Sequence, residues 1–192
     1  MTNLICGIDE VGRGSWAGPL LSVAALFRGH DPGCPEITDS KKLSPEKRKR
    51  LFKMISCSPF LVDFGIGQVD AHEINERGIN WANEESFVRA VGNLRQKPSY
   101  IIVDGNNGVR GWHPQQVHYE PKADLKFPVV SAASILAKVI RDDYMTELDL
   151  QYPGYDWSSN KGYGTATHRK GLEELGATPF HRTKFISKIV MP

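Results

Sequence analysis

The carboxylates of this 192-residue chain fall where a purely structural pattern would not put them. Asp9-Glu10 closes the apolar run that begins at Leu4, at positions where Val or Ile would be expected. Asp104 repeats the arrangement, because Tyr100-Ile101-Ile102-Val103 runs directly into Asp104-Gly105. A carboxylate at the end of a buried strand is costly unless positive charge compensates it. If the two strands are neighbours, their ends gather like charges, which favours a divalent cation. An all-oxygen ligand set suits Mg²⁺ or Mn²⁺ better than zinc. Other readings stay open: Asp104-Gly105 can begin a turn, and Asp9 or Glu10 can pair with Arg13. Successive strand residues point to opposite faces, so Asp9 and Glu10 can share one metal only if the strand bends or bulges near Gly12-Arg13-Gly14. Asp124 follows Lys122-Ala123. Asp142 comes four residues after Lys138, the spacing of an ordinary helical ion pair, and its neighbour Asp143 reads as solvated.

The elements that must carry these side chains follow from hydrophobic pattern. Leu4 to Val11 and Pro19 to Phe27 read as two strands around the Gly12-Arg13-Gly14 turn, forming a hairpin near the start of a central sheet. Gly29, Asp31, Pro32, Gly33 and Pro35 make residues 28–39 a loop. Ser44-Pro45 has the cap and first-position signature of a helix, continued by Leu51, Met54 and Ile55. Alternation from Phe60 to Ile66 predicts a third strand. Ala71 to Gln96 predicts two helical stretches broken near Gly78, with Phe87, Val91 and Leu94 as an apolar stripe. Tyr100–Val103 and Gln116–Tyr119 are two further strands. Pro128 to Leu150 is the strongest helix, and a last one near 166–175 leads into a basic tail. Strands early and strand–helix alternation later predict a mixed α/β sheet in one domain spanning 1–192.

Composition narrows the class of protein. Hydrophobic residues make up 40% and charged residues 24%, which excludes a disordered chain. Lys plus Arg number 24 against 22 Asp plus Glu, so a polybasic tail protein is excluded, while nucleic acid is not, because the distribution of charge decides that. Cys6, Cys34 and Cys57 are odd in number and lack CxxC spacing, which argues against a disulfide framework or a zinc site. No signal-peptide pattern or long apolar run is seen, so a cytoplasmic location without a membrane partner is expected.

Gly7-Ile8-Asp9-Glu10-Val11-Gly12-Arg13-Gly14, followed by Ala17-Gly18-Pro19, resembles the opening motif of the ribonuclease HII family. Further blocks match in order: Asp39-Ser40-Lys41-Lys42-Leu43, Val103-Asp104-Gly105, Lys122-Ala123-Asp124, the run from Ser131 to Lys138, Arg141-Asp142 and Lys161-Gly162-Tyr163-Gly164-Thr165. The resemblance spans about residues 5 to 185. It implies an α/β, ribonuclease H-like fold, a mixed five-stranded sheet flanked by helices. It also implies endonucleolytic cleavage of the RNA strand of RNA–DNA hybrids and of DNA duplexes at embedded ribonucleotides. By that resemblance Asp9, Glu10, Asp104 and Asp124 are the metal-holding and catalytic carboxylates, with Asp142 close by, and Mg²⁺ or Mn²⁺ is the cofactor. Ser15-Trp16 departs from the family's Pro followed by an apolar residue, which bears on loop packing. The related HIII family's extra N-terminal domain is not expected, since Asp9 lies so near the start.

Substrate contacts are expected in three places. The glycines of Gly12-Arg13-Gly14 permit close backbone approach, so main-chain groups can address a 2′-hydroxyl. Tyr163, in a Gly-flanked loop, is expected from the resemblance to meet the RNA–DNA junction. Between Lys41 and Lys53 lie seven Lys or Arg and one Glu, of which Lys41 and Lys42 are assigned to backbone contact and the rest to a solvated face. A second basic region, Arg169, Lys170, Arg182, Lys184 and Lys188, is expected to grip duplex farther from the cut. Of the scattered histidines, each best read as surface or packing, His168 is the first to test as a general base. A monomer is expected. Two rival functions, a non-catalytic hybrid-binding module and a two-carboxylate glycosidase, explain less: the first needs no acids facing a polyanion, the second no basic segments.

Overall fold

The computed structural model describes residues 3–30, 32–34, 36–37, 43–106, 108–113 and 115–190. Five strands, β1 (Leu4–Val11), β2 (Leu20–Arg28), β3 (Leu61–Val69), β4 (Tyr100–Asp104) and β5 (Val117–Glu120), form one sheet in the order β3-β2-β1-β4-β5. The β1–β2 and β2–β3 pairs are antiparallel, whereas β1–β4 and β4–β5 are parallel. Helices are α1 (Pro45–Ser56), α2 (Ala71–Arg77), α3 (Ile79–Gly92), α4 (Pro128–Gln151), α5 (Trp157–Asn160), α6 (Ala166–Leu175) and α7 (Thr183–Val190). The mixed sheet flanked by helices matches the expected fold class.

Local chemistry explains the element starts. The Ser44 side chain accepts from the Lys47 amide, and Pro45 occupies the first turn of α1, where a missing N–H costs nothing. Asp70 and Glu73 form a reciprocal capping box at α2. Gly78 then separates α2 from α3, as the break in pattern predicted.

Strand periodicity divides β1 between two cores. Ile5 belongs to the cluster built with Val129, Val130, Ala133 and Leu136 of α4, while Cys6 and Ile8 belong to the cluster with Phe87 and Ala90 of α3. Gly7 lies on the α4 side, where any Cβ would collide with the Val129 carbonyl. That absence of a side chain lets the first turn of α4 rest on β1. A third cluster, with Met145, Leu148, Tyr155, Trp157, Leu172 and Ile186, joins the far half of α4 to α5, α6 and α7. The basic tail is therefore a packed helix. Among the described residues no helix is long and apolar enough to cross a membrane.

Candidate active site

Parallel pairing of β1 with β4 aligns Ile8 with Val103, so Asp9 and Asp104, one residue further on, end neighbouring strands. Both alternate onto the α4 face, in step with Ile5 and Ile102. Asp124 comes from a 3₁₀ turn, Ala123–Leu125, between β5 and α4. Asp104 Oδ1 accepts the Ala123 amide at 2.8 Å, and the Ser131 hydroxyl on α4 donates to the Asp124 carbonyl. The turn is thus tied to both the sheet and the helix. One oxygen from each of Asp9, Asp104 and Asp124 lies within 4.8 Å of the others.

Three carboxylates so close are poised for a cation. Asp9 and Asp124 are buried and Asp104 half-buried. At an effective dielectric of about 20, two unit charges this far apart repel by about 3 kcal/mol. Burial pushes the Asp9 carboxyl well above the usual range, and Glu10 and Asp104 push it further, while the Ser134 hydroxyl and the Glu10 amide oppose that rise. A hard divalent ion removes the repulsion and matches an all-oxygen donor set.

Glu10 stands outside this triad. β1 continues to Val11 without a register shift, pairing Glu10 with Ser22, so no bulge turns Glu10 to the Asp9 face. Both acids nevertheless line one cavity of about 350 Å³ at the strand end, together with Gly12, Arg13, Gly14, Ser134, Lys138 and Tyr163. The fold therefore gathers the expected turn, the expected tyrosine and the first two acids around one space. Asp104 and Asp124 adjoin it through Asp9.

The Gly12-Arg13-Gly14 turn rests on two buried arginines. Gly12 has φ 87°, and a Cβ there would collide with the Arg141 guanidinium. Arg141 donates to the Pro19, Lys161 and Ala17 carbonyls and, at 2.9 Å, to the Ser15 hydroxyl. Arg182 donates to the Gly12 carbonyl at 2.7 Å, the Arg13 carbonyl at 3.0 Å and the Gly18 carbonyl at 2.9 Å. Burial pushes the Arg182 guanidinium down to about 9, which leaves it charged at neutral pH. This corrects one expectation: Arg182 is fully buried beneath the turn and does not grip duplex, while Arg169, Lys170, Lys184 and Lys188 are exposed.

Asp142 is placed apart from the three clustered carboxylates. Its Oδ1 accepts from Lys138 Nζ at 2.7 Å, and it lines an adjoining cleft with Lys161, whose Nζ donates to the Asp142 carbonyl. The ion pair suggested by their spacing is present. Asp143 is paired with Lys49 at 3.2 Å. Lys41 and Lys42 lie outside the described residues. His168 cannot serve as a general base, because it is buried with both ring nitrogens in hydrogen bonds. Ser134 and Lys138 were missed as lining residues, although their four-residue spacing on α4 was a usable signal. The buried roles of Arg141 and Arg182 had none.

The family model described as Ribonuclease HII matches residues 6–188. A Ribonuclease HII of Prochlorococcus marinus subsp. pastoris is 43% identical over 187 residues, covering 95% of this chain and 88% of the relative. Among solved structures, the ribonuclease H2 from Pyrococcus horikoshii superimposes with a TM-score of 0.78 at 33% identity, over 97% of this chain and 96% of that one. Bst-RNase HIII in complex with Mn²⁺ shares the fold, with a TM-score of 0.72 at 20% identity, over 99% of this chain and 71% of its own.

Proposed function

The chain belongs to the ribonuclease HII family, and from that membership we propose how its own residues carry out the reaction. It is an endonuclease that hydrolyses the RNA strand of RNA–DNA hybrids with divalent metal ions. In our proposal it also nicks DNA duplexes at embedded ribonucleotides, with Mg²⁺ or Mn²⁺ as the cofactor. Residues 1–192 act as one catalytic domain with a short helical and basic C-terminal segment, as a cytoplasmic monomer without a membrane partner.

The observation that carries this reading is the juxtaposition of three converging carboxylates with a cavity walled by Gly12-Arg13-Gly14 and Tyr163. Asp9, Asp104 and Asp124 hold the cation site, and Glu10, which lines the same cavity as Asp9, is assigned to the metal and to catalysis with them. Divalent ions held by these carboxylates would supply activation of a water for in-line attack and charge stabilisation of the leaving 3′-oxygen, chemistry that leaves 5′-phosphate and 3′-hydroxyl ends. Arg13 and Lys138 offer positive charge to the phosphates entering the cavity. Main-chain groups of Gly12 and Gly14 address the 2′-hydroxyl that distinguishes RNA from DNA. Tyr163 stacks on the sugar or base at the junction. Asp142 acts from the neighbouring cleft, through its contact with Lys138. Lys41 and Lys42 are assigned to the nucleic-acid backbone.

Asp104→Asn tests the metal site, because it removes one charge while preserving shape and an acceptor for the Ala123 amide. Cleavage of a DNA duplex carrying one ribonucleotide, and of a long hybrid, should fall by about a thousandfold, while hybrid affinity changes little. Both activities of the unaltered enzyme should appear with Mg²⁺ or Mn²⁺ and vanish in EDTA. Unimpaired turnover by Asp104→Asn would remove the argument from the carboxylates.

A further inference from the structure

Two buried imidazoles connect the loops that this reading assigns to substrate recognition. His168 on α6 and His181 before α7 are 0% and 1% exposed, with their Nε2 atoms 3.0 Å apart. The partners fix which nitrogens carry protons. The Trp157 indole, which can only donate, points its N–H at His168 Nε2 over 3.1 Å. His168 Nε2 is therefore an acceptor, so the proton sits on Nδ1 and is donated to the Tyr163 carbonyl at 3.0 Å. In the same way the Thr178 amide donates to His181 Nδ1 at 2.9 Å. The His181 proton is thus on Nε2, where it is donated to His168. Burial pushes both imidazoles down, His181 to about 4, so each is neutral near pH 7.

The other end of this chain of bonds reaches the Gly12 turn. His181 forms an isolated bridge with Ala17, and the Arg182 amide donates to the Trp16 carbonyl at 2.7 Å. The Trp16 and Ala17 amides both donate to the Gly162 carbonyl, at 2.8 and 3.2 Å, immediately before Tyr163. The Trp16 ring also packs on His168, with centroids 5.5 Å apart. Neither histidine lines the cavity, yet the loop carrying Tyr163 is bonded on one side to Trp16 and Ala17, just past the turn, and on the other to His168.

We propose that His168, supported by His181, is a positioning residue that holds the Tyr163 loop at a set distance from the Gly12-Arg13-Gly14 turn, and so determines how well a lone ribonucleotide is distinguished from continuous RNA. The proposal rests on the junction role given to Tyr163 above. A long hybrid offers many registers in which the cavity can engage RNA. A single ribonucleotide requires the turn and the tyrosine to meet adjacent residues at once, so a misplaced loop harms that substrate selectively.

The test compares kcat/KM for a duplex with one ribonucleotide against kcat/KM for a long hybrid. His168→Asn keeps a donor at the Nδ1 position, and His168→Gln moves it to the Nε2 position. The single-to-long ratio should fall by about tenfold in His168→Gln and stay within about threefold of wild type in His168→Asn. In a Tyr163→Ala background, His168→Gln should change the ratio by less than about twofold, since both act through one ring. Equal losses on both substrates, or an Asn variant as impaired as Gln, would overturn the proposal. If Tyr163→Ala alone leaves the ratio unchanged, the junction role fails and the proposal falls with it. If only His168→Gln leaves the ratio unchanged, the positioning role alone fails. Imidazole nitrogen NMR of the unaltered enzyme, which needs no variant to fold, should show His168 as the Nδ1–H tautomer and His181 as Nε2–H. The opposite tautomer at His168 would leave the Tyr163 carbonyl without its donor and refute the arrangement.

Discussion

Tyr163 is 38% exposed where it lines the cavity, and the Arg141 guanidinium carbon lies 5.9 Å from its ring centroid. An exposed ring held this way offers a flat face that a buried core tyrosine does not. Stacking of an aromatic side chain on a nucleotide is worth about 1–3 kcal/mol. Tyr163→Ala should therefore slow nicking at a single embedded ribonucleotide by about tenfold, whereas Tyr163→Phe should stay within about twofold because the face is retained. Single-turnover rates on that duplex check both, and an unchanged rate in the alanine variant would remove the stacking role. Asp9 and Glu10 show the same division at the scale of one peptide. Asp9 is buried among acids beside α4, while Glu10 is half-buried and reaches the cavity from its place opposite Ser22.

Elements explain what could be read from the amino-acid order and what could not. Strands β1 and β4 were legible because apolar runs stop at acids, and their parallel pairing then brings Asp9 beside Asp104. Helix α4 was legible from its length and its Pro128 start. The C-terminal segment was not: Arg182 reads as one more cation in a basic tail, yet it serves the Gly12 carbonyl 170 residues away. No local period marks an arginine whose partners are distant backbone carbonyls, and α5, only four residues long, is too short for periodicity to reveal. The turn and α7 are therefore one structural unit, and its stability should depend on the buried guanidinium. Arg182→Met, of similar volume, leaves the Gly12 and Gly18 carbonyls without their donors and should cost about 3 kcal/mol, seen as a lower urea midpoint with an unchanged slope. Arg182→Lys should recover less than half of that, because one ammonium cannot reproduce a planar fork. A midpoint unmoved by Arg182→Met would mean that other contacts suffice to hold the turn.

Across the whole molecule, a formal charge of +2 is too small to bind a polyanion by itself, so the arrangement of the charges must do it. Much of the dense basic segment is already occupied: Lys49 pairs with Asp143, Arg50 with Glu36, and Arg48 donates to the Leu43 carbonyl. The C-terminal helices differ. Ile186 is buried and Phe185 half-buried on α7, while Lys184 and Lys188, four residues apart, are exposed on its other side. α7 begins directly after Arg182, whose guanidinium holds the turn at the cavity, so its lysines extend outward from the recognition loops. If those two lysines neutralise two phosphates of a bound duplex, each releases a counterion, and each contributes about 0.9 to the slope of log affinity against log salt. Hybrid binding in EDTA, measured from 50 to 200 mM salt, should therefore lose about 1.8 from that slope in the Lys184→Ala/Lys188→Ala variant, equally for hybrids of different sequence. The same double change should leave the urea midpoint nearly unmoved, because neither side chain packs in the core. A slope identical to that of the unaltered enzyme would place the duplex away from α7 and leave the loops at the cavity to bind it without that helix.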